Sequence, residues 1–237
     1  TFFILLEQNG DKSSYNPLRF LWRMLVLAGI GYLHSLIYPG DILQQLAVCG
    51  VFLLLVHRAP VWVLVFIVVL FLGRVVSSVQ FYLALRDPSY VQPAFWGWSQ
   101  INYEVFANSG VVDFIKHTAT TGQIPKWVLI FETGSMWNLF GLVVAGLLLA
   151  RMRWFDPNLP LRVLIWTMVG SAAFVAVMRL VTTNLGSKFP ELMPRWCFDN
   201  VTGGLDSLGL VVFYLSAIPL LLRSSWMQRV FGVLAPA

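Results

Sequence analysis

Charge is scarce in this chain: Asp, Glu, Lys and Arg make up 11% of 237 residues, against about a quarter in an ordinary soluble domain. Alternating apolar and polar strands are also absent, which argues against an outer-membrane barrel. Cysteine is nearly absent, with Cys49 inside an apolar run and Cys197 in a connecting segment, so a bridge between them is not expected and redox compartment is unreadable. Neither has a second Cys or a His at metal-ligand spacing. No Gly-rich phosphate loop and no nucleophile elbow occurs. Chemistry, if present, is therefore acid-base or direct transfer.

What the chain has instead is apolar length. It is 58% apolar with a mean hydropathy of +0.74, and several runs approach the roughly 20 residues needed to cross a bilayer core. The expected class is an all-α, multi-span helical membrane protein with a single transmembrane domain over residues 1–237. The net charge of +5 has no basic block or RNA-binding motif beside it, so nucleic acid is not an expected partner and the surplus is assigned to topology. The partner implied by composition is the lipid bilayer.

Six complete segments are expected: 18–38, 41–56, 61–85, 126–150, 161–183 and 204–222. The apolar start 1–6 reads as the inner end of an earlier helix, which with the opening Thr1 makes the chain a fragment or partial view of a longer protein. The first segment stops at Pro39-Gly40, where proline lacks the amide hydrogen a helix needs. The long aromatic connection 86–125 is expected to hold an interfacial helix over 100–117, and the amphipathic stretch 226–234 a second.

Basic residues decide the orientation. One side collects nine (Lys12, Arg19, Arg23, Arg58, Arg151, Arg153, Arg162, Arg223, Arg229) and the other five (Arg86, Lys116, Lys126, Lys188, Arg195), so the first is expected to be cytoplasmic. No internal repeat supports an inverted-repeat transporter.

Ionisable groups in apolar helices are costly and are functional candidates. By helical rise, His34, Asp41, Glu132, Arg179 and Asp206 fall in the outer half of the bilayer and Arg74 near its middle. That asymmetry is expected of a polar chamber opening outward; for Arg179 and Asp206 taken alone, snorkelling to the interface is the favoured account. Arg74 must reach through more than two turns of helix or meet a buried anion, in a paired structural role or a ligand-contacting one, with Glu132 the first choice of partner by depth and Asp206 or Asp41 next.

His34 shares a face with Gly31, a small residue that admits a close neighbour. Asp41, followed by Gln44 and Gln45, opens the next segment. A carboxylate beside imidazole fixes its tautomer and prepares a general base; the competing reading makes Asp41 a helix N-cap. Gly134, Asn138, Gly141 and Ala145 form a packing stripe, from which Ser135 and Asn138 are placed to face the chamber with Glu132. The candidate catalytic pair is thus His34 and Asp41. Arg74, Gln44, Gln45, Glu132, Asn138 and Asp206 are the candidate substrate-binding residues, and no metal ligand is assigned.

The run from Arg23 to His34, followed by Gly40-Asp41-Ile42-Leu43, resembles the signature of the YeiB-like bacterial inner-membrane proteins, a domain-of-unknown-function family. Met136 to Arg151 and Trp226 to Pro236 match it more weakly. The resemblance implies a longer parent of about ten helices in the bacterial inner membrane, similar to the membrane acyltransferase superfamily. By that similarity the implied activity is transfer of an acyl group, with acyl-CoA as the implied donor, to an extracytoplasmic hydroxyl or amine. Two other readings stand beside it: a transporter or channel for a small solute, and a non-catalytic subunit or homo-oligomer packed in a membrane complex.

Overall fold

Proline and glycine punctuate a chain that is otherwise free to coil into helices. The computed structural model describes residues 17–38, 40–87, 103–156, 158–189 and 192–223. The expected features at 1–16, 88–102 and 224–237, among them the 226–234 stretch, lie outside the described residues. Everything described is helix, turn or loop, so the all-α class holds.

The residues divide into two units, Thr1–Leu148 and Leu149–Ala237. In the first, α1 (Pro17–Ser35) opens on a proline, which lacks only an amide that the first turn would leave unbonded anyway. Its buried residues Phe20, Met24, Gly31 and Ser35 recur at helical spacing and form one inward stripe. Next come α2 (Leu43–Val56), α3 (Val61–Leu72), α4 (Val75–Arg86), α5 (Val111–Ala119), α6 (Gln123–Glu132) and α7 (Ser135–Arg151). Cys49 and Leu53 of α2, Leu64 of α3, Ile130 of α6 and Met136, Phe140, Val144 and Leu147 of α7 make the apolar core. Gly141 lets α7 lie directly on α3: a Cβ there would stand 2.9 Å from Leu72 and 3.0 Å from Phe71.

In the second unit, α8 (Leu161–Gly186) pairs with α9 (Leu192–Leu222). Their close approach depends on Gly209, where a Cβ would meet Val175 at 2.7 Å. Large side chains face outward on the apolar helices, among them Trp62, Phe66 and Val69 on α3 and Trp166 and Leu180 on α8. Such an apolar exterior is stable in lipid and not in water.

Among the described residues, three helices are long and apolar enough to cross a membrane: Val61–Arg86 (α3 and α4 taken together), Leu161–Gly186 and Pro194–Leu222. The pair α6 and α7 makes a fourth if its 68° bend lies inside one span. The 14 residues of α2 reach about 21 Å, short of a core of about 30 Å. Arg19, Arg23 and His34 dilute the hydropathy of α1, which is not among the three.

Several expected boundaries move. The segment expected over 126–150 starts at Gln123 and is broken at Thr133-Gly134, where Gly134 takes φ +72°. The segment over 61–85 is interrupted at Gly73-Arg74, with Arg74 left-handed at φ 56°. Instead of a polar loop from Asn184 to Gly203, α8 runs to Gly186 and α9 starts at Leu192. Pro194 suits a first helical turn, and Arg195 and Asp199 pair across one turn at 2.8 Å, so polar composition there builds helix rather than loop. The interfacial helix expected over 100–117 is two pieces, 103–108 and Val111–Ala119, divided at Ser109-Gly110.

Candidate functional site

The carboxylate of Asp41 is buried and does two things at once. Its Oδ1 lies 2.8 Å from Nδ1 of His34, in the last turn of α1. Its Oδ2 accepts the amides of Leu43 (3.0 Å) and Gln44 (3.4 Å), the free donors at the start of α2. Both sequence readings of Asp41, orienting group and cap, therefore hold together. An ionised carboxylate can only accept, so in the neutral imidazole of His34 the proton sits on Nδ1 and Nε2 carries the lone pair. The His34 side chain is 53% exposed while that of Asp41 is 2% exposed, so an exposed imidazole rests on a buried carboxylate.

Gly31 makes this geometry accessible. A Cβ at Gly31 would stand 2.7 Å from the Gln44 amide nitrogen, 2.9 Å from Leu43 Cβ and 3.0 Å from Asp41 Oδ2. Only a residue without a side chain lets the last turns of α1 touch the start of α2.

Behind the pair lies a polar network. Gln44 Nε2 donates to Ser35 Oγ at 3.2 Å, and Lys126 Nζ donates to Gln44 Oε1 at 3.3 Å. Gln123 Nε2 donates to Ser35 Oγ at 2.9 Å and to the Thr118 carbonyl at 3.1 Å. Ser35 Oγ donates to the Tyr32 carbonyl at 2.7 Å, and the Tyr32 hydroxyl donates to the Ala119 carbonyl at 2.8 Å. Because a carbonyl cannot donate, the Thr118 contact fixes which end of the Gln123 amide points where. Its Oε1 is left buried without a hydrogen-bond partner. Gln45 is peripheral to this network: its Nε2 reaches the Asp41 carbonyl at 3.4 Å.

A second polar region forms where the two broken helices meet. Ser77 Oγ donates to the Thr133 carbonyl at 3.2 Å, Gln80 Nε2 donates to the Glu132 carbonyl, and a Cβ on Gly134 would stand 3.3 Å from Val76. Carbonyls freed by the break in one helix are thus bonded by side chains just past the break in the other. Arg74 sits at the first break, its buried Nε without a hydrogen-bond partner among the described residues. Asn138 is in the first turn of α7, its amide bonded to the Gly134 carbonyl at 3.0 Å. Six residues of α6 separate Lys126 from Glu132, about 9 Å along the axis, so this one helix links the two regions.

The sequence candidates therefore divide into three groups. His34, Asp41 and Gln44 meet in one network; Arg74, Glu132 and Asn138 belong to the helix breaks. Asp206 is in the other unit, where its Oδ1 accepts Arg179 Nε at 3.3 Å. The candidate carboxylates for Arg74 are accordingly reduced, because Asp41 bonds His34 and Asp206 bonds Arg179. Ser35, Thr118, Gln123 and Lys126 were missed. Their only signal is polarity beside a helix end, and their relevance depends on α5 and α6 folding back onto α1. Among the described residues no three His, Cys, Asp or Glu side chains converge as ligands for a metal. No protein-family model, curated protein or solved structure matches the chain.

Proposed function

We propose that this chain is the core of a membrane-embedded acyltransferase, with His34 as general base and Asp41 as the residue that orients it. The observation that carries the reading is the 2.8 Å contact between Nδ1 of His34 and the buried Asp41 carboxylate, which leaves Nε2 free on the exposed side. In the proposed reaction the acceptor's hydroxyl oxygen attacks the thioester carbon as Nε2 takes its proton. The tetrahedral intermediate then expels the thiolate, which takes that proton back, giving an ester and a free thiol. Asp41 steadies the imidazolium formed between the two steps. The YeiB-like resemblance supplies the acyl group, the acyl-CoA donor, the extracytoplasmic acceptor and the bacterial inner membrane. The apolar runs supply the six proposed crossings, and the resemblance sets them within a longer parent of about ten helices. Gln44, Gln45, Arg74, Glu132, Asn138 and Asp206 are proposed to bind substrate, with Arg74 taking an anionic part of the donor or the developing oxyanion.

The test is acyl transfer from a radiolabelled acyl-CoA by membranes containing the full chain. Replacing His34 with Ala lowers turnover by about 10²–10⁴-fold, the usual contribution of a general base. Unchanged transfer by an inserted His34→Ala protein would sink the assignment.

One observation favours a second reading. Broken helices whose freed backbone groups meet polar side chains are how transporters build solute sites, and α3–α4 against α6–α7 is such a pair. Solute flux with no covalent product, abolished by Arg74→Ala and kept by His34→Ala, would select transport over transfer.

A further inference from the structure

Among the described residues only two other than glycine adopt positive φ, and both are arginines: Arg74 and Arg153. Arg153 follows α7 as the left-handed residue of a Schellman ending. Its amide bonds the Ala150 carbonyl (3.1 Å), and the Trp154 amide bonds the Leu149 carbonyl (3.0 Å). Glycine is the relaxed occupant of that position, because a Cβ in the left-handed region crowds the backbone. Arg151, in the last turn, already supplies the cation that a helix C-terminus favours. The side chain of Arg153 therefore has a use that glycine would not serve.

The surroundings indicate which. Arg153 helps line a depression of about 310 Å³ with Ala150, Trp154, Phe155 and Asp156. The floor is pinned: the Trp154 indole donates to the Leu215 carbonyl at 3.2 Å, and Arg223 clamps the loop through the carbonyls of Leu159 (2.7 Å) and Asp156 (3.2 Å). Arg153 and Asp156 are the charged residues lining the hollow, with Asp156 Oδ1 engaged by the Asn158 amide at 2.8 Å; by chain position Arg151 ends α7, Arg162 lies in the first turn of α8 and Arg223 follows α9. Two helices long enough to cross a bilayer, Leu161–Gly186 and Pro194–Leu222, have their ends here, at Leu161 and Leu222. Met152 and Phe155 of the connecting loop, and Leu161 and Leu221 at these helix ends, are exposed. An exposed arginine in an open, mostly apolar hollow, beside the ends of two helices long enough to cross a bilayer, matches the phosphate of a lipid with a net negative headgroup.

We propose that this hollow is a binding site for the phosphate of an anionic phospholipid headgroup, with Arg153 as its principal contact. The site belongs entirely to the second unit and does not depend on the His34–Asp41 reading. The experiment uses the full chain, purified and delipidated in neutral detergent and titrated with phosphatidylglycerol or phosphatidylcholine under native mass spectrometry. The wild-type protein prefers phosphatidylglycerol. Arg153→Gly lowers that preference by about fivefold, the contribution of one basic residue at an anionic surface, with an unchanged or raised Tm because the left-handed strain is gone. Arg153→Lys keeps most of the preference. A wild-type protein without the preference overturns the proposal, as does an Arg153→Gly protein that retains it. A lowered Tm in Arg153→Gly makes the arginine structural and also overturns it. Inorganic phosphate in large excess leaves the lipid bound; displacement by it would reassign the site to soluble phosphate.

Discussion

Gly31 and Gly29 lie half a helical turn apart on α1 and have opposite surroundings. A methyl group at Gly29 would meet nothing within 4 Å, whereas at Gly31 it would press on the Gln44 amide and the Asp41 carboxylate. Gly29→Ala is expected to gain up to about 1 kcal/mol from helix propensity. Gly31→Ala is expected to lose about 1–3 kcal/mol, because the neighbour it strikes is backbone and the cap must shift. Thermal unfolding in detergent, at about 2–4 °C per kcal/mol for a chain of this size, separates the two. The displaced cap also moves Asp41 off His34, so under the proposed function Gly31→Ala is expected to lower acyl transfer while Gly29→Ala leaves it unchanged. The His34–Asp41 pairing was legible in the sequence because the two residues are joined by a single turn. The roles of Ser35, Gln123 and Lys126 were not, because they come together across 88 and 82 residues of chain.

At the scale of elements, the two helix breaks explain each other. Gly134 supplies a left-handed residue at no steric cost, and the carbonyls opened there are bonded by Ser77 and Gln80, just past the break at Arg74. Replacing Gly134 with Ala puts a Cβ on a backbone at φ +72° and 3.3 Å from Val76. A loss of about 1–2 kcal/mol is expected from the left-handed strain alone, read as a lower Tm. Straightening α6 and α7 into one helix would withdraw the Thr133 carbonyl from Ser77, and a Ser77→Ala change should then cost less in the Gly134→Ala background than in wild type. Additive losses in that double-mutant cycle would show that the two breaks are independent. The sequence marked Arg74 as anomalous by its charge and Gly134 as part of a stripe. It carried no sign of a kink at either, since an apolar run reads the same whether straight or bent.

For the molecule as a whole, the question is how many times the chain crosses. Three helices qualify outright, and the bent pair α6–α7 decides what lies between residue 58 and residue 158. If α3–α4 and α6–α7 each cross once, exposed cysteines introduced at Arg58 and Asn158 react with an impermeant maleimide from the same side, and one at Ser187 from the other. The basic-residue bias predicts the cytoplasm for the first two. Labelling at Arg58 and Asn158 from opposite faces would make α6–α7 re-entrant and remove one crossing from the six expected from the sequence.

Composition alone determined that this is a helical membrane protein, because apolar runs with so few charges have no stable alternative in water and no unpaired backbone is tolerated in lipid. Local spacing determined the His34–Asp41 pair, since one short turn brings the end of α1 to the start of α2. Which polar groups stand behind that pair, where the long helices break, and that Arg153 occupies a position suited to glycine were decided only by the tertiary structure. Those features depend on contacts between segments far apart in the chain and on backbone angles, neither of which leaves a periodic trace in the order of residues.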